Sequence, residues 1–254
     1  MTDDNKDFQS LAEMSFVEHL IELRNRLVRA LLVIVAVLLC TFPFANDFYA
    51  VLAAPLLVHM PEGGSMIATE VASPFLTPFK LALVLSIFIS MPMLLYQMWA
   101  FVAPGLYKNE QRLVYPLMIS SSILFYMGVA FAYYVVFPLM FAFFQAVAPE
   151  GVEIMTDISS YLDFVLKIFF AFGLAFEVPI ATIVLVWTGV TTPKALLEKR
   201  AYVIVGAFVL GMLLTPPDFI SQTLLALPMW LLFELGVIFS RVYVKPRRRE
   251  DADD

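Results

Sequence analysis

Apolar residues in this chain gather into long runs, and polar residues collect in the connections between them. Six such runs predict six membrane-spanning helices, because a helix needs roughly 20 apolar residues to cross about 30 Å of hydrocarbon. The runs cover about 27–44, 81–103, the interior of 113–149, 164–190, 201–215 and 219–240. Pro43 and the Asn46–Asp47 pair end the first, Pro104–Gly105 ends the second, and Pro216–Pro217–Asp218 forces a turn between the last two. The third stretch has 37 residues without a charge. As one straight helix it would reach ~55 Å at 1.5 Å per residue, so Pro138 predicts a kink and an extension past the membrane surface. The fifth is the opposite case, ~22 Å from Arg200 to Thr215. It and the sixth are expected to thin the bilayer or to shelter their ends behind neighbouring protein. The fold class is therefore all-α and polytopic.

Composition agrees with this pattern and removes the soluble alternatives. The 254 residues are 61% hydrophobic and only 15% charged, against about 25% charged in soluble chains. Fourteen of the sixteen Lys and Arg fall into four clusters: the N-terminal segment through Arg29, 108–112, 194–200 and 241–249. The alternate connections hold almost only acids. Such sorting places both termini in the cytoplasm of a multi-pass protein, with 1–26 an N-terminal cytoplasmic segment, 27–240 the spanning domain and 241–254 a charged tail. The acidic start, with no apolar run before Arg26, reads as no cleavable signal. The single Cys40 excludes an intrachain disulfide.

Residues 8–26 carry apolar side chains at helical spacing and predict an amphipathic helix along the cytoplasmic membrane surface, with Ser15-x-x-Glu18 as a capping-box pattern. Residues 47–58 predict a short interfacial helix, and a further helix starts at Ser159 or Ser160. By spacing alone, Glu22 is the partner of Arg26 one turn on, and Glu110 is a solvated loop residue. Glu177 differs, because it lies near the centre of a span, two residues before Pro179. An ionisable group at that depth costs at least ~2.5–3.5 kcal/mol and marks a functional path or polar cavity. The alternative is a protonated acid bonded to a carbonyl that Pro179 frees. Glu234 can snorkel or pair near Arg241. His19 and His59 have no second ligand at metal spacing, and no nucleophile and base share a depth, so neither a cofactor nor an enzyme is expected. An ion-coupled transporter would need more intramembrane acids or an internal repeat, and neither is evident.

Several phrases resemble the TatC family, the multispanning subunit of the twin-arginine protein translocase. They are HLIELRNRL, MIATEVASPFLTPFKL, YQMWAFVAPGLYKNEQR, SSSILFYMGVAFAYYVVFP, TDISSYLDFV, FGLAFEVPIA and VGAFVLGMLLTPPDFISQTLLALPM, in the family's order from about 15 to about 243. Gln111 stands where the family commonly has a basic residue. The resemblance implies six helices in a concave, glove-like arrangement within the bacterial inner membrane. It implies a receptor for signal peptides bearing two consecutive arginines on folded cargo, working in a multimeric complex with TatA-type and TatB-type single-span subunits. Residue by residue, it implies signal-peptide binding at Glu22, Arg24, Phe101 and Glu110, and a polar pocket at Glu177. It further implies partner contacts at Met212, Leu213, Thr215 and Gln222, and outer cap or assembly positions at Pro55 and Asp218.

Overall fold

The computed structural model describes residues 3–58, 60, 65–102, 114–147, 149, 155–215 and 218–243, with side chains of the first helix from Val17 onward. Among them the structure is helical throughout, apart from an isolated parallel bridge between Ile67 and Asp157. The helices are α1 (Asp3–Thr41), α2 (Ala45–Leu57), α3 (Ser73–Ile89), α4 (Met91–Val102), α5 (Val114–Phe131), α6 (Phe137–Val147), α7 (Ile158–Ala175), α8 (Val178–Trp187), α9 (Pro193–Glu198), α10 (Arg200–Leu214) and α11 (Phe219–Tyr243). Four stretches are long and apolar enough to cross a membrane unbroken: Val17–Leu57, Tyr115–Val147, Ile158–Trp187 and Phe219–Val242. The α3–α4 pair, bent by 49°, makes a fifth if it crosses as one, and α10 is a shorter apolar helix. Each of the six predicted runs thus has a helical counterpart, but two are not simple full-length spans.

Where the helices begin and break has local causes. α1 is one helix of 39 residues, which corrects the expectation of a separate helix lying along the membrane surface. No Gly or Pro interrupts 3–41, so nothing ends one helix and starts another, and Ser15 lies mid-helix rather than at a cap. The second run is longer than expected and broken. It starts at Ser73, and Pro92 has no amide to continue α3 past Ser90. The Ser90 carbonyl instead accepts from the amides of Met93 (2.9 Å) and Leu94 (3.0 Å) and opens α4. In the third run a π turn, Ala132–Val136, immediately precedes α6. This wider turn gives the Pro138 ring room beside the Tyr134 carbonyl, which an α-helical path would drive it into. α7 starts at Ile158 because Asp157 caps it, its Oδ1 accepting from the amides of Ser159 (3.0 Å) and Ser160 (2.9 Å).

The chain forms two compact units. The first, Met1–Asn46 with Pro78–Ser122, packs α1 against α4 and buries Ala82, Phe88, Leu95 and Trp99. The second, Asp47–Thr77 with Ile123–Asp254, has a core of Phe125, Phe137, Met140, Leu162, Ile168 and Phe172. There α11 lies closely on α8, because a Cβ at Gly236 would run into the Thr182 hydroxyl and the Pro179 backbone.

In the second unit α2 is tied down by three tyrosines. Pro55 has no amide to donate to the Val51 carbonyl, and the Tyr133 hydroxyl donates to it at 2.8 Å. Buried Tyr161 donates to the Leu52 carbonyl at 2.7 Å, and Tyr49 returns a bond to the Ile158 carbonyl at 3.3 Å. Beside them Asp157 Oδ2 accepts from the Thr69 amide (3.0 Å) and hydroxyl (2.8 Å). The bonds from the Ser160 and Thr69 amides hold the Asp157 carboxyl well below the usual carboxylate range.

Three outcomes follow from this clasp. Tyr161→Phe lowers stability by about 1 kcal/mol in detergent unfolding. Tyr133→Phe costs less in a Pro55→Ala background, where position 55 regains an amide for Val51; an unchanged cost there argues against the role given to Pro55. Because folding lowers the Asp157 pKa, its contribution is complete above the ordinary carboxylate value and fades as pH falls through the lowered one. The stability difference between the wild type and Asp157→Asn is therefore flat from about pH 8 to about pH 5 and shrinks only in stronger acid.

Candidate functional site

In the first unit, His19, Glu22 and Arg26 lie three and four residues apart on one face of α1, the face that meets α4. Arg26 reaches Glu22 Oε1 with Nε at 2.9 Å and with Nη2 at 2.5 Å. Its Nη1 donates to Gln97 Oε1 (3.3 Å), and Nη2 also donates to the Ala100 carbonyl (3.1 Å). Ala100 lies in the last turn of α4, where helix carbonyls have no amide partners, so Arg26 also caps that helix. His19 stacks on Phe101, with ring centroids 4.3 Å apart and planes at 24°. The Arg26 side chain is 20% exposed and that of Glu22 is 37% exposed. A partly exposed carboxylate is thus held at the junction of two helices beside an aromatic ring.

Of the predicted binding residues, Glu22 and Phe101 lie on this junction. Arg24 does not join them. It is exposed and donates to the Oδ1 of Asn25 beside it, at 3.2 and 3.4 Å. Two positions from Glu22 is ~200° around a helix, so the two side chains diverge. Glu110 lies outside the described residues.

The other predicted residues belong to the second unit. Glu177 is half-buried where α7 gives way to α8, and its carbonyl accepts from the Ala181 amide at 2.9 Å. Asp218 caps α11, its Oδ1 accepting from the Ser221 amide at 2.7 Å. Thr215 is buried and donates to the Gly211 carbonyl at 2.9 Å, while Gln222 Nε2 donates to the Phe208 carbonyl at 2.8 Å and ties α11 to α10. Met212 and Leu213 face outward at 53% and 68% exposure. The four partner-contact residues therefore split, two closing the α10–α11 joint and two presenting an apolar surface. Pro55 acts within α2, where it leaves Val51 to Tyr133.

Sequence reasoning did not assign Gln97 and Ala100 to the site, nor the stacking of exposed His19 on Phe101. A signal existed for Gln97, an amide inside the otherwise apolar run LLYQMWAF. Glu234, read from the sequence as able to snorkel or pair, does pair, with Arg200 across α10 and α11. Arg200 Nε lies 2.5 Å from Oε1, Nη2 donates to Oε2 at 2.9 Å, and Trp230 Nε1 donates to Oε1 at 3.2 Å.

The family described as "Sec-independent protein translocase protein (TatC)" matches residues 18–228. The chain is 58% identical over 236 residues to the Sec-independent protein translocase protein TatC of Escherichia coli (strain K12), covering 92% of each chain. It is 61% identical over 236 residues to that of Haemophilus influenzae, covering 93% of this chain and 92% of the other. Among solved structures, "Crystal Structure of Twin Arginine Translocase Receptor- TatC" superimposes with a TM-score of 0.79 at 37% identity, over 88% of this chain and 98% of that one. With the α1–α4 junction, Glu177 and the α10–α11 joint all inside the matched region, the chain belongs to the TatC family of protein translocase components in membranes.

Proposed function

We propose that this protein is the receptor subunit of a twin-arginine translocase, and not an enzyme. It binds twin-arginine signal peptides of folded precursors and assembles with TatB-type and TatA-type single-span subunits in a multimeric complex. One observation carries the reading: Glu22 stands partly exposed at the α1–α4 junction with a guanidinium already bonded to it. The site therefore accepts the group a twin-arginine peptide brings. Charge-assisted bonds to a guanidinium are worth about 1.5–3 kcal/mol each.

Glu110 supplies the second carboxylate in this proposal, and Phe101 gives the apolar part of the signal a ring to pack on. Arg24 supports the site through its charge, since its side chain faces away from Glu22. Glu177 lines the polar pocket that receives the signal further along. Met212 and Leu213 contact the partner helix, with Thr215 and Gln222 shaping the joint beneath them and Pro55 and Asp218 serving the outer cap and assembly. The clustering of Lys and Arg supports a bacterial inner-membrane protein with both termini cytoplasmic, 1–26 and 241–254 flanking the spanning region 27–240. α10, with 15 residues, is shorter than a usual span and favours local thinning of the bilayer where cargo passes.

Photo-crosslinking of a twin-arginine signal peptide falls strongly in Glu22→Ala and in Glu110→Ala, and further in the double variant. Undiminished crosslinking in the double variant rejects the receptor reading. Inserting four Leu residues into α10 lengthens it by ~6 Å and blocks export while leaving peptide crosslinking intact. Normal export in that variant rejects the thinning role.

A further inference from the structure

The bonds around Glu22 are lopsided. Both Arg26 nitrogens that reach it converge on Oε1, and among the described residues no donor reaches Oε2. Glu234 shows the contrast within the same chain, since Arg200 engages both of its carboxylate oxygens and closes that group to a second cation. Arg26 is also anchored from elsewhere. Its remaining donors go to Gln97 Oε1 and to the Ala100 carbonyl, on the helix opposite. A guanidinium carries five N–H donors in a rigid plane, and here that plane is fixed from two helices at once. Its side chain is also the more buried of the pair, at 20% exposure against 37% for Glu22.

We propose that Arg26 is a positioning residue that sets how Glu22 receives an incoming guanidinium. It pins Oε1 against α4 and leaves Oε2 turned out as the acceptor for the peptide. The idea rests on the receptor reading above and adds a specificity mechanism to it. Two cations sharing one carboxylate sit only a few ångströms apart, and both must shed water to do so. A guanidinium spreads its charge over a flat, weakly hydrated group, whereas an ammonium is a compact, strongly hydrated point charge. Sharing with Arg26 therefore penalises lysine more than arginine.

The test uses the full chain in nanodiscs, a synthetic twin-arginine signal peptide and its twin-lysine counterpart. Arg26→Gln weakens twin-arginine binding about tenfold, the loss expected for one well-placed charge-assisted bond, and narrows the preference for arginine over lysine. Arg26→Lys keeps the charge but not the planar fork, and it shows the same two losses. Gln97→Leu removes one anchor of the fork and moves both readouts in the same direction by less. Helix content and detergent unfolding confirm that each variant is folded.

Full rescue by Arg26→Lys overturns the proposal, because charge alone would then suffice. Tighter binding in Arg26→Gln also overturns it, since Arg26 would then be a competitor for Glu22. If Glu22→Gln abolishes binding while Arg26→Gln leaves affinity and discrimination unchanged, the receptor reading stands and the positioning role is rejected. If the wild type binds neither peptide, the receptor reading fails and takes this proposal with it.

Discussion

Inside a bilayer, a backbone group that leaves its helix partner has no water to turn to. This chain nevertheless interrupts its helices often, and much of its side-chain chemistry answers those interruptions. Pro55 leaves the Val51 carbonyl to the Tyr133 hydroxyl. A π turn relieves Pro138 without ending the helical path. At Pro92 the Ser90 carbonyl collects two amides and restarts the helix at an angle. At Pro179 the carbonyl receives the Thr182 hydroxyl at 2.8 Å, while Gly236 lets α11 lie close over that same turn. At Val51 the tyrosine hydroxyl supplies the bond that the proline cannot, and the helix continues past the break.

Such breaks create positions that an unbroken helix does not have. Glu177 occupies one, at the junction of α7 and α8, and its side chain sits where the backbone changes path. Asp218 occupies another, as the cap that turns the chain from α10 into α11. Charged groups at the contacts between helices follow a related rule. Glu22 with Arg26, and Glu234 with Arg200, pair where one helix meets the next. The two pairs differ in how completely the carboxylate is filled, and that difference separates a structural tie from a site with capacity left.

The apolar runs, their limits at prolines and a helix start close to Ile158 were legible in the sequence, because each depends on neighbours a few residues away. Glu22 with Arg26 was legible for the same reason. Where local signals failed, the deciding partner lay far along the chain. Gln97 is 71 residues from Arg26, and Thr69 is 88 residues from Asp157. Glu234 has Arg241 seven positions on by sequence, yet its partner is Arg200, 34 residues back, brought near by the packing of α10 on α11. The start of α1 was misread for a different reason. A capping-box pattern at Ser15 carries weight only where something else stops the preceding helix, and nothing in 3–14 does.

Arg26 joins these threads, because one side chain meets several constraints together. Near the end of a span its charge needs a counter-ion, the last turn of α4 needs donors, and a buried amide at Gln97 needs a partner. The planar guanidinium serves all three, and both of its bonds to Glu22 fall on one oxygen. Lysine in the same place would rotate freely and hold none of these directions. A residue required this strongly by the fold is also well placed to fix the Glu22 carboxylate, since any displacement of its plane would disturb α1 and the end of α4 at once. The orientation of the Glu22 carboxylate is therefore a property of helix packing, set by bonds that reach from α1 to α4.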